Sequence, residues 1–309
     1  SLDGQPMYFR HDHRAIDEAG ALAQFLSDRP GAGNTVIDIG AHTGSFAQPF
    51  ISVGFAVHSF EPNEQLHESL LSDASSRENW EIHTEAVGTT SGSARLFLTH
   101  ESSGASTLRP FVPSHVDSQQ VDLVEINEAL KRCLAGDPSL CLLKLDCEGS
   151  DSHLLAKVDF SKWAPYAVMA EFDDAKDRTL RQPRSLNKMT NLLQDRGYFC
   201  VVSVWHPVLQ YGKPHDFLGI FGPDALLEIP SNCWGNVIAL RDRHAAESFM
   251  DVLYSYSYPR TNETAVRNVA PYSDRDATSA RRTVRIIDRL GMGTLARKLR
   301  RILRVVTGH

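Results

Sequence analysis

The sequence lacks any run of about 18 apolar residues, so no membrane-spanning helix is expected. No basic stretch followed by an apolar segment stands at its start, so no secretory leader is expected. Cysteine is sparse. The five thiols (Cys133, Cys141, Cys147, Cys200 and Cys233) include no C-x-x-C pair and are odd in number, which argues against a disulfide framework or a structural zinc motif. Several sit in apolar stretches, where a thiol acts as a small hydrophobe, and the expected setting is the reducing cytoplasm. Positive charge is not in excess: the formal net charge is -6, which removes any global nucleic-acid footprint, and no nucleic-acid partner is expected. Both common phosphate-binding signatures are missing, G-x-G-x-x-G and the Gly-Lys-Ser/Thr of a P-loop.

What is present reads as an enzyme of ordinary globular composition, 42% hydrophobic and 23% charged over 309 residues. Residues 14–27 have helical spacing, with Ile16, Ala19, Ala23 and Leu26 on one side. Beyond the Pro30–Gly33 break, short apolar segments alternate with helical ones. Strands are expected at Val36–Ile39, Val57–Phe60, Trp80–Val87, Val121–Ile126, Leu140–Asp146, Ala167–Phe172, 198–204 and 216–221. Helices are expected at 44–53, 63–74, up to about 134, from 151, and at 185–196. Ser93–Thr99 alternates like an additional strand, and the Ser-, Pro- and Gly-rich stretch 100–118 reads as a long functional loop. The expected fold class is α/β: a doubly wound, mostly parallel sheet with right-handed crossovers, an N-terminal helical arm and a basic helical C-terminal tail. The expected boundaries are 1–34 for the arm, 35–245 for the catalytic domain and 246–309 for the extension. Its tail carries ten Lys or Arg residues after position 274 against Asp276 and Asp288. Two readings fit that tail: contact with an anionic membrane or lipid-linked substrate, or packing on the chain's own domain or a partner.

Three local patterns carry chemistry. Val36-Ile-Asp-Ile-Gly-Ala-His-Thr-Gly-Ser45 sets Asp38, Gly40 and Gly44 on a strand-to-helix turn, at the carboxyl end of a strand where open α/β sheets bind ligands. Its leading acid disfavours a pyrophosphate and suits a cationic ligand such as S-adenosylmethionine, with its ammonium and sulfonium. Glu61, in Ser59-Phe-Glu-Pro62, stands 23 residues after Asp38, where a carboxylate accepts hydrogen bonds from ribose hydroxyls. Leu142-Leu-Lys-Leu-Asp-Cys-Glu-Gly149 places Lys144, Asp146 and Glu148 on an apolar strand, and alternation would put all three on one face. Charges there are costly unless paired or functional.

These motifs, with Glu85-Ala-Val-Gly88 and the Gly104–Leu108 loop, resemble the FkbM-type methyltransferases from about residue 35 to about 222. The family pattern more often has Asn at position 42, an aliphatic residue at 43 and Glu at 151, where this chain has His42, Thr43 and Asp151. The resemblance implies a Rossmann-like class I fold with S-adenosyl-L-methionine as cofactor. It implies that Asp38, Gly40 and Gly44 surround the cofactor's aminocarboxypropyl end, that Ala41, His42, Thr43 and Pro62 also bind the cofactor, and that Glu61 holds the ribose. Glu85 and Ala86 would lie near the adenine and Asp146 near the methyl donor. Methylation of a hydroxyl on a sugar, glycan or polyketide-type product is expected, with Lys144, Asp146 and Glu148 catalytic. His153, His206 and His215 are rival bases. No metal is expected, either at His11-Asp12-His13 or at Asp173-Asp174. Two other classes stay open: a non-catalytic cofactor-binding module of a larger biosynthetic protein, and an NAD-dependent oxidoreductase.

Overall fold

In the computed structural model the described residues are 8–9, 14–98, 106–108, 110, 117–136, 139–207 and 215–259, and the structural statements below concern these. The chain divides into one unit of residues 1–260 and a second of residues 261–309. The second unit, and with it the basic tail, lies outside the described residues, as do His11-Asp12-His13 and most of the 100–118 loop.

The centre is a nine-stranded sheet. Its parallel half runs, in spatial order, β10 (Ala167–Asp173), β9 (Leu140–Leu145), β3 (Thr35–Ile39), β4 (Ala56–Phe60) and β5 (Trp80–His83). Every residue of β3 and β9 is buried, as befits strands covered on both faces. On the far side of β10 the order continues with β13 (Trp234–Leu240), β11 (Phe199–Trp205), β12 (Phe217–Phe221) and the short edge strand β1 (Tyr8–Phe9), all in antiparallel pairings. The sequence reading contains no strand at 234–240. β13 inserts antiparallel between β10 and β11, so it follows neither the strand–helix alternation nor the expected sheet order.

Alternation along the strands sends side chains to two cores. One face carries Ile37, Ile39, Leu143 and Leu145, covered by α4 (Ile126–Cys133), α5 (Asp151–Lys157) and α8 (Ser185–Gln194). The other carries Val36, Val57 and Leu142, covered by α1 (Glu18–Ser27), α2 (Ala47–Ser52) and α9 (Arg243–Ser255). The N-terminal helix begins later than its apolar spacing suggests. Arg14–Ile16 (β2) pairs antiparallel with Ser257–Pro259 (β14), and the Asp17 carboxylate then caps α1 by accepting from the Gly20 amide at 2.8 Å.

The expected Trp80–Val87 strand is two. After β5 the chain leaves the main sheet at Thr84–Glu85. It then enters a small sheet in which β6 (Ala86–Gly88) and β7 (Gly92–Leu98) flank β8 (Asp117–Glu125). From β3 the connections wind one way through β4 to β5, and from β9 the other way to β10. The crevice between the carboxyl ends of β3 and β9 is therefore the topological switch point, where such sheets bind ligands.

Candidate active site

A cleft of about 320 Å³ opens at that switch point, within the size range of small-molecule sites. Its floor is the end of β3 and the turn after it, Ile39, Gly40 and His42. Phe60, Glu61, Pro62, Glu85, Ala86, Val87 and Leu96 form one wall. Asp146, Cys147, Glu148, Glu171, Asp173 and Lys176 form the other, with His215, Trp234 and Asn236 at the far end. Thr107 donates from its hydroxyl to the Glu148 carbonyl at 3.0 Å, fastening the small sheet's loop across the two walls.

Glu61 is held by its neighbours' backbone. The His42 amide donates to Oε2 at 2.7 Å and the Asn63 amide to Oε1 at 2.8 Å. Burial pushes this carboxyl up to about 7 against the pull of those amides and of Lys144. Each oxygen retains a second lone pair for a hydroxyl of a bound molecule.

Asp38 and Lys144 are register partners on adjacent strands. Lys144 Nζ lies 2.9 Å from Asp38 Oδ1 and 3.5 Å from Asp146 Oδ2, and it donates to the Gly40 carbonyl at 2.7 Å. Asp38 is fully buried and does not line the cleft. Burial raises its pKa, with Lys144 opposing, while two carboxylate partners outweigh desolvation and push Lys144 up. The pair therefore supports the cleft floor from beneath, and Asp146, with 41% of its side chain exposed, is the member that reaches the opening.

The glycines of the turn answer to the protein first. A Cβ on Gly40 (φ +82°) would sit 1.9 Å from the Asp146 carbonyl oxygen, and one on Gly44 (φ +76°) 2.7 Å from the Trp80 ring. Both are excluded by close approach of neighbouring elements and by positive φ. Gly40 and His42 line the cleft; Ala41, Thr43 and Gly44 do not.

The expectation of one charged face for Lys144, Asp146 and Glu148 meets a correction. β9 ends at Leu145, and Glu148 adopts φ +50°, so the period of two does not extend to it. Left-handed backbone at a non-glycine residue costs energy and recurs at functional sites; His42 (φ +51°), across the cleft, shares it. The turn carries Glu148 away from Lys144 to a different ammonium, that of Lys176 on α7 (Asp174–Thr179). Lys176 also bonds both Glu171 oxygens at 3.2 Å and approaches Asp173 to 4.0 Å.

One ammonium cannot neutralise three carboxylates. Burial, resisted by Lys176, pushes Glu148 up to about 7 and Glu171 well above the carboxylate range. Glu171 and Lys176 are not among the site residues expected from the sequence. The signal was available in Glu171, a charge inside the apolar strand Ala167–Phe172. Of the rival histidines, His215 lines the cleft edge-to-face with Trp234, at 5.1 Å between ring centres, whereas His153 and His206 lie outside it.

The residues present suit S-adenosylmethionine. A fixed carboxylate with free lone pairs matches a ribose diol, the walls at Phe60, Ala86, Val87 and Leu96 match a purine, and the acidic remainder matches a cation.

No curated protein sequence matches this chain. Among solved structures, precorrin-6y C5,15-methyltransferase from Geobacter metallireducens is similar at 12% identity and TM-score 0.35, over 73% of this chain and 94% of that one. Magnesium protoporphyrin IX methyltransferase from Synechocystis, solved with bound SAH, gives 11% identity and TM-score 0.35 over 72% and 80%. The 23S rRNA methyltransferase ErmE gives 11% and 0.36 over 74% and 69%. Likenesses this distant carry no argument about acceptor or reaction. The model of the methyltransferase FkbM domain matches residues 38–200, about half of the chain, beginning on Asp38 and spanning Glu61, Asp146, Glu148 and Lys176, and the chain belongs to that family.

Proposed function

We propose that this protein is an S-adenosylmethionine-dependent O-methyltransferase whose acceptor is a hydroxyl of a sugar, glycan or polyketide-type product. The observation that carries the reading is the continuity of one cleft from Glu61 to the Glu148–Lys176–Glu171 cluster, so cofactor and acceptor can share one space. Family membership sets the nicotinamide alternative aside.

Bound in the cleft, S-adenosylmethionine supplies an electrophilic methyl group on a sulfonium. Glu61 fixes the ribose end through the lone pairs that His42 and Asn63 leave free. Asp146, held by Lys144, presents negative charge at the opening. A hydroxyl nucleophile must shed its proton, and a carboxylate titrating near neutrality is matched to receive it. Glu148 has that character, because burial raises it to about 7. Lys176 beside it holds the base in place and offsets the surrounding negative charge. Holding acceptor oxygen and donor carbon in line supplies much of the acceleration in such displacements.

Two measurements test the reading. Titration calorimetry should give S-adenosylmethionine and S-adenosylhomocysteine binding, no NAD binding, and at least about tenfold weaker cofactor affinity in Glu61→Ala, from loss of hydrogen bonds to a charged group. Transfer of an isotopically labelled methyl group should then be followed over paired alcohol and amine acceptors of the same skeleton. Label on oxygen supports the proposal; label only on nitrogen or carbon overturns it. We propose in addition that the basic tail contacts an anionic surface, which co-sedimentation with anionic liposomes, with and without residues 275–309, tests directly.

A further inference from the structure

Away from the charge clusters of the cleft, on the sheet face under α4, four side chains of ligand type converge. His58 and Glu81 are register partners on β4 and β5, and His83 lies two residues farther along, opposite Phe60. Cys133, the last residue of α4, comes down onto the same face. We propose that His58, His83, Cys133 and Glu81 form a binding site for one divalent transition-metal ion of zinc's class.

The spacing is the main argument. His58 Nδ1 and His83 Nε2 are 3.2 Å apart, and Cys133 Sγ is 3.7 Å from His83 Nε2. Glu81 places Oε2 at 3.3 Å from His58 Nδ1 and Oε1 at 3.8 Å from His83 Nε2. The two imidazoles and the thiol have their donor atoms within 4.8 Å of one another. In a tetrahedral site with zinc–nitrogen bonds of about 2.0–2.1 Å and a zinc–sulfur bond of about 2.3 Å, the ligand-to-ligand edges are about 3.3 Å between nitrogens and about 3.6 Å between nitrogen and sulfur. The His58–His83, His83–Cys133 and His58–Glu81 separations are close to those edges. One thiol, two imidazoles and a carboxylate also form a donor set suited to a borderline-soft ion rather than to magnesium or calcium.

The electrostatics agree. Binding exchanges the Cys133 thiol proton, released to solvent, for the metal–sulfur bond. Thiolate and Glu81 carboxylate then balance a dication. The neighbouring cation, Arg132, is engaged by Glu85 at 2.7 Å. Glu81, with 63% of its side chain exposed, leaves an open approach. Without an ion, the Cys133 thiol lies within hydrogen-bond distance of His83, which in turn approaches His58, with Glu81 beside them.

The site borders the cofactor wall. His83 stacks on Phe60, ring centres 4.4 Å apart, and Arg132, next to Cys133, holds Glu85; Phe60 and Glu85 both line the cleft. A bound ion would tie β4, β5 and α4 together behind that wall.

The test uses the full chain, freed of metal with a chelator and titrated with cobalt(II) and then zinc(II). The expected result is one cobalt per chain with the intense visible bands of tetrahedral coordination and a thiolate-to-cobalt charge-transfer band, all erased by zinc, and a higher unfolding temperature with zinc bound. Cys133→Ser should lose the charge-transfer band, and His58→Gln should bind cobalt at least about tenfold more weakly, with folding of both verified by circular dichroism. An octahedral cobalt spectrum without a thiolate band overturns the proposal. So does binding that is unchanged in both variants, which would locate the ion elsewhere, as at His11 and His13.

Discussion

Lys144 and Asp38 face each other across β9 and β3 as register partners, with the ammonium 2.9 Å from the carboxylate and both side chains almost wholly out of water. Removing one member leaves the other as an uncompensated buried charge. Lys144→Met should therefore destabilise the fold by about 3–5 kcal/mol, read as a shift in the denaturant midpoint. Adding Asp38→Asn should recover much of the loss. A single Lys144→Met variant as stable as the parent would mean that the pair is not the support described for the cleft floor.

Gly40→Ala is expected to fail for a reason internal to the protein. Its new Cβ would collide with the Asp146 carbonyl at 1.9 Å, at a residue with φ +82°. Relief requires β3 and the turn after β9 to part, at a cost of about 2 kcal/mol or more. Because Asp146 shifts with that turn, cofactor affinity should fall as well. A parental melting temperature with parental calorimetric affinity would contradict this account.

Glu18 gives a pH signature. It opens α1 and is partly buried, accepting from the Asn236 side-chain amide at 2.8 Å and from the Ser203 hydroxyl. Burial pushes its carboxyl up from 4.5 to about 7. The folded state therefore holds the proton more tightly than the unfolded state. The associated stability is fully present below about pH 4.5 and is lost as pH rises through about 7, an upper limit of about 3 kcal/mol. Glu18→Gln cannot ionise, and Ser203 can reverse its hydroxyl to accept from the new amide. Its stability should fall less between pH 5 and pH 8 than the parent's. Equal slopes in the two proteins would remove Glu18 from the explanation.

What the sequence disclosed and what it withheld follow from the range of each interaction. The glycine turn after β3, Glu61 and the charged end of β9 are local features of single strand-to-helix turns, and residues beside one another in the chain carry the whole signal. Gly40, Glu61, Glu85 and Asp146 do share one cleft. Asp38 is different. A leading acid reads as a ligand group until its neighbour is known, and that neighbour is Lys144, on a strand distant in sequence but adjacent in the sheet. Strand alternation places Glu148 beside Lys144 only if the strand continues; it ends at Leu145, and the left-handed backbone at Glu148 directs the side chain to Lys176. Cys133 looked like one more small hydrophobe, because its companions His58 and His83 come from two other elements and no fixed spacing links them.

The assignment of Glu148 as proton acceptor makes the sharpest kinetic claim. A base works only when ionised, and burial raises this carboxyl to about 7. At saturating cofactor, so that titration of Glu61 does not intrude, kcat/KM for the acceptor should climb with pH through about 7 and level off above it. Glu148→Gln preserves size and leaves Lys176 bonded to both oxygens of Glu171. It should lower kcat about 10²–10⁴-fold, erase the rising limb and leave cofactor affinity nearly unchanged. Glu171→Gln provides the contrast. It weakens the hold on Lys176 but leaves the base in place, so the limb should persist with a displaced midpoint. If the limb vanished in Glu171→Gln and survived in Glu148→Gln, the proton would pass through Glu171 instead, and the two carboxylates around Lys176 would exchange roles.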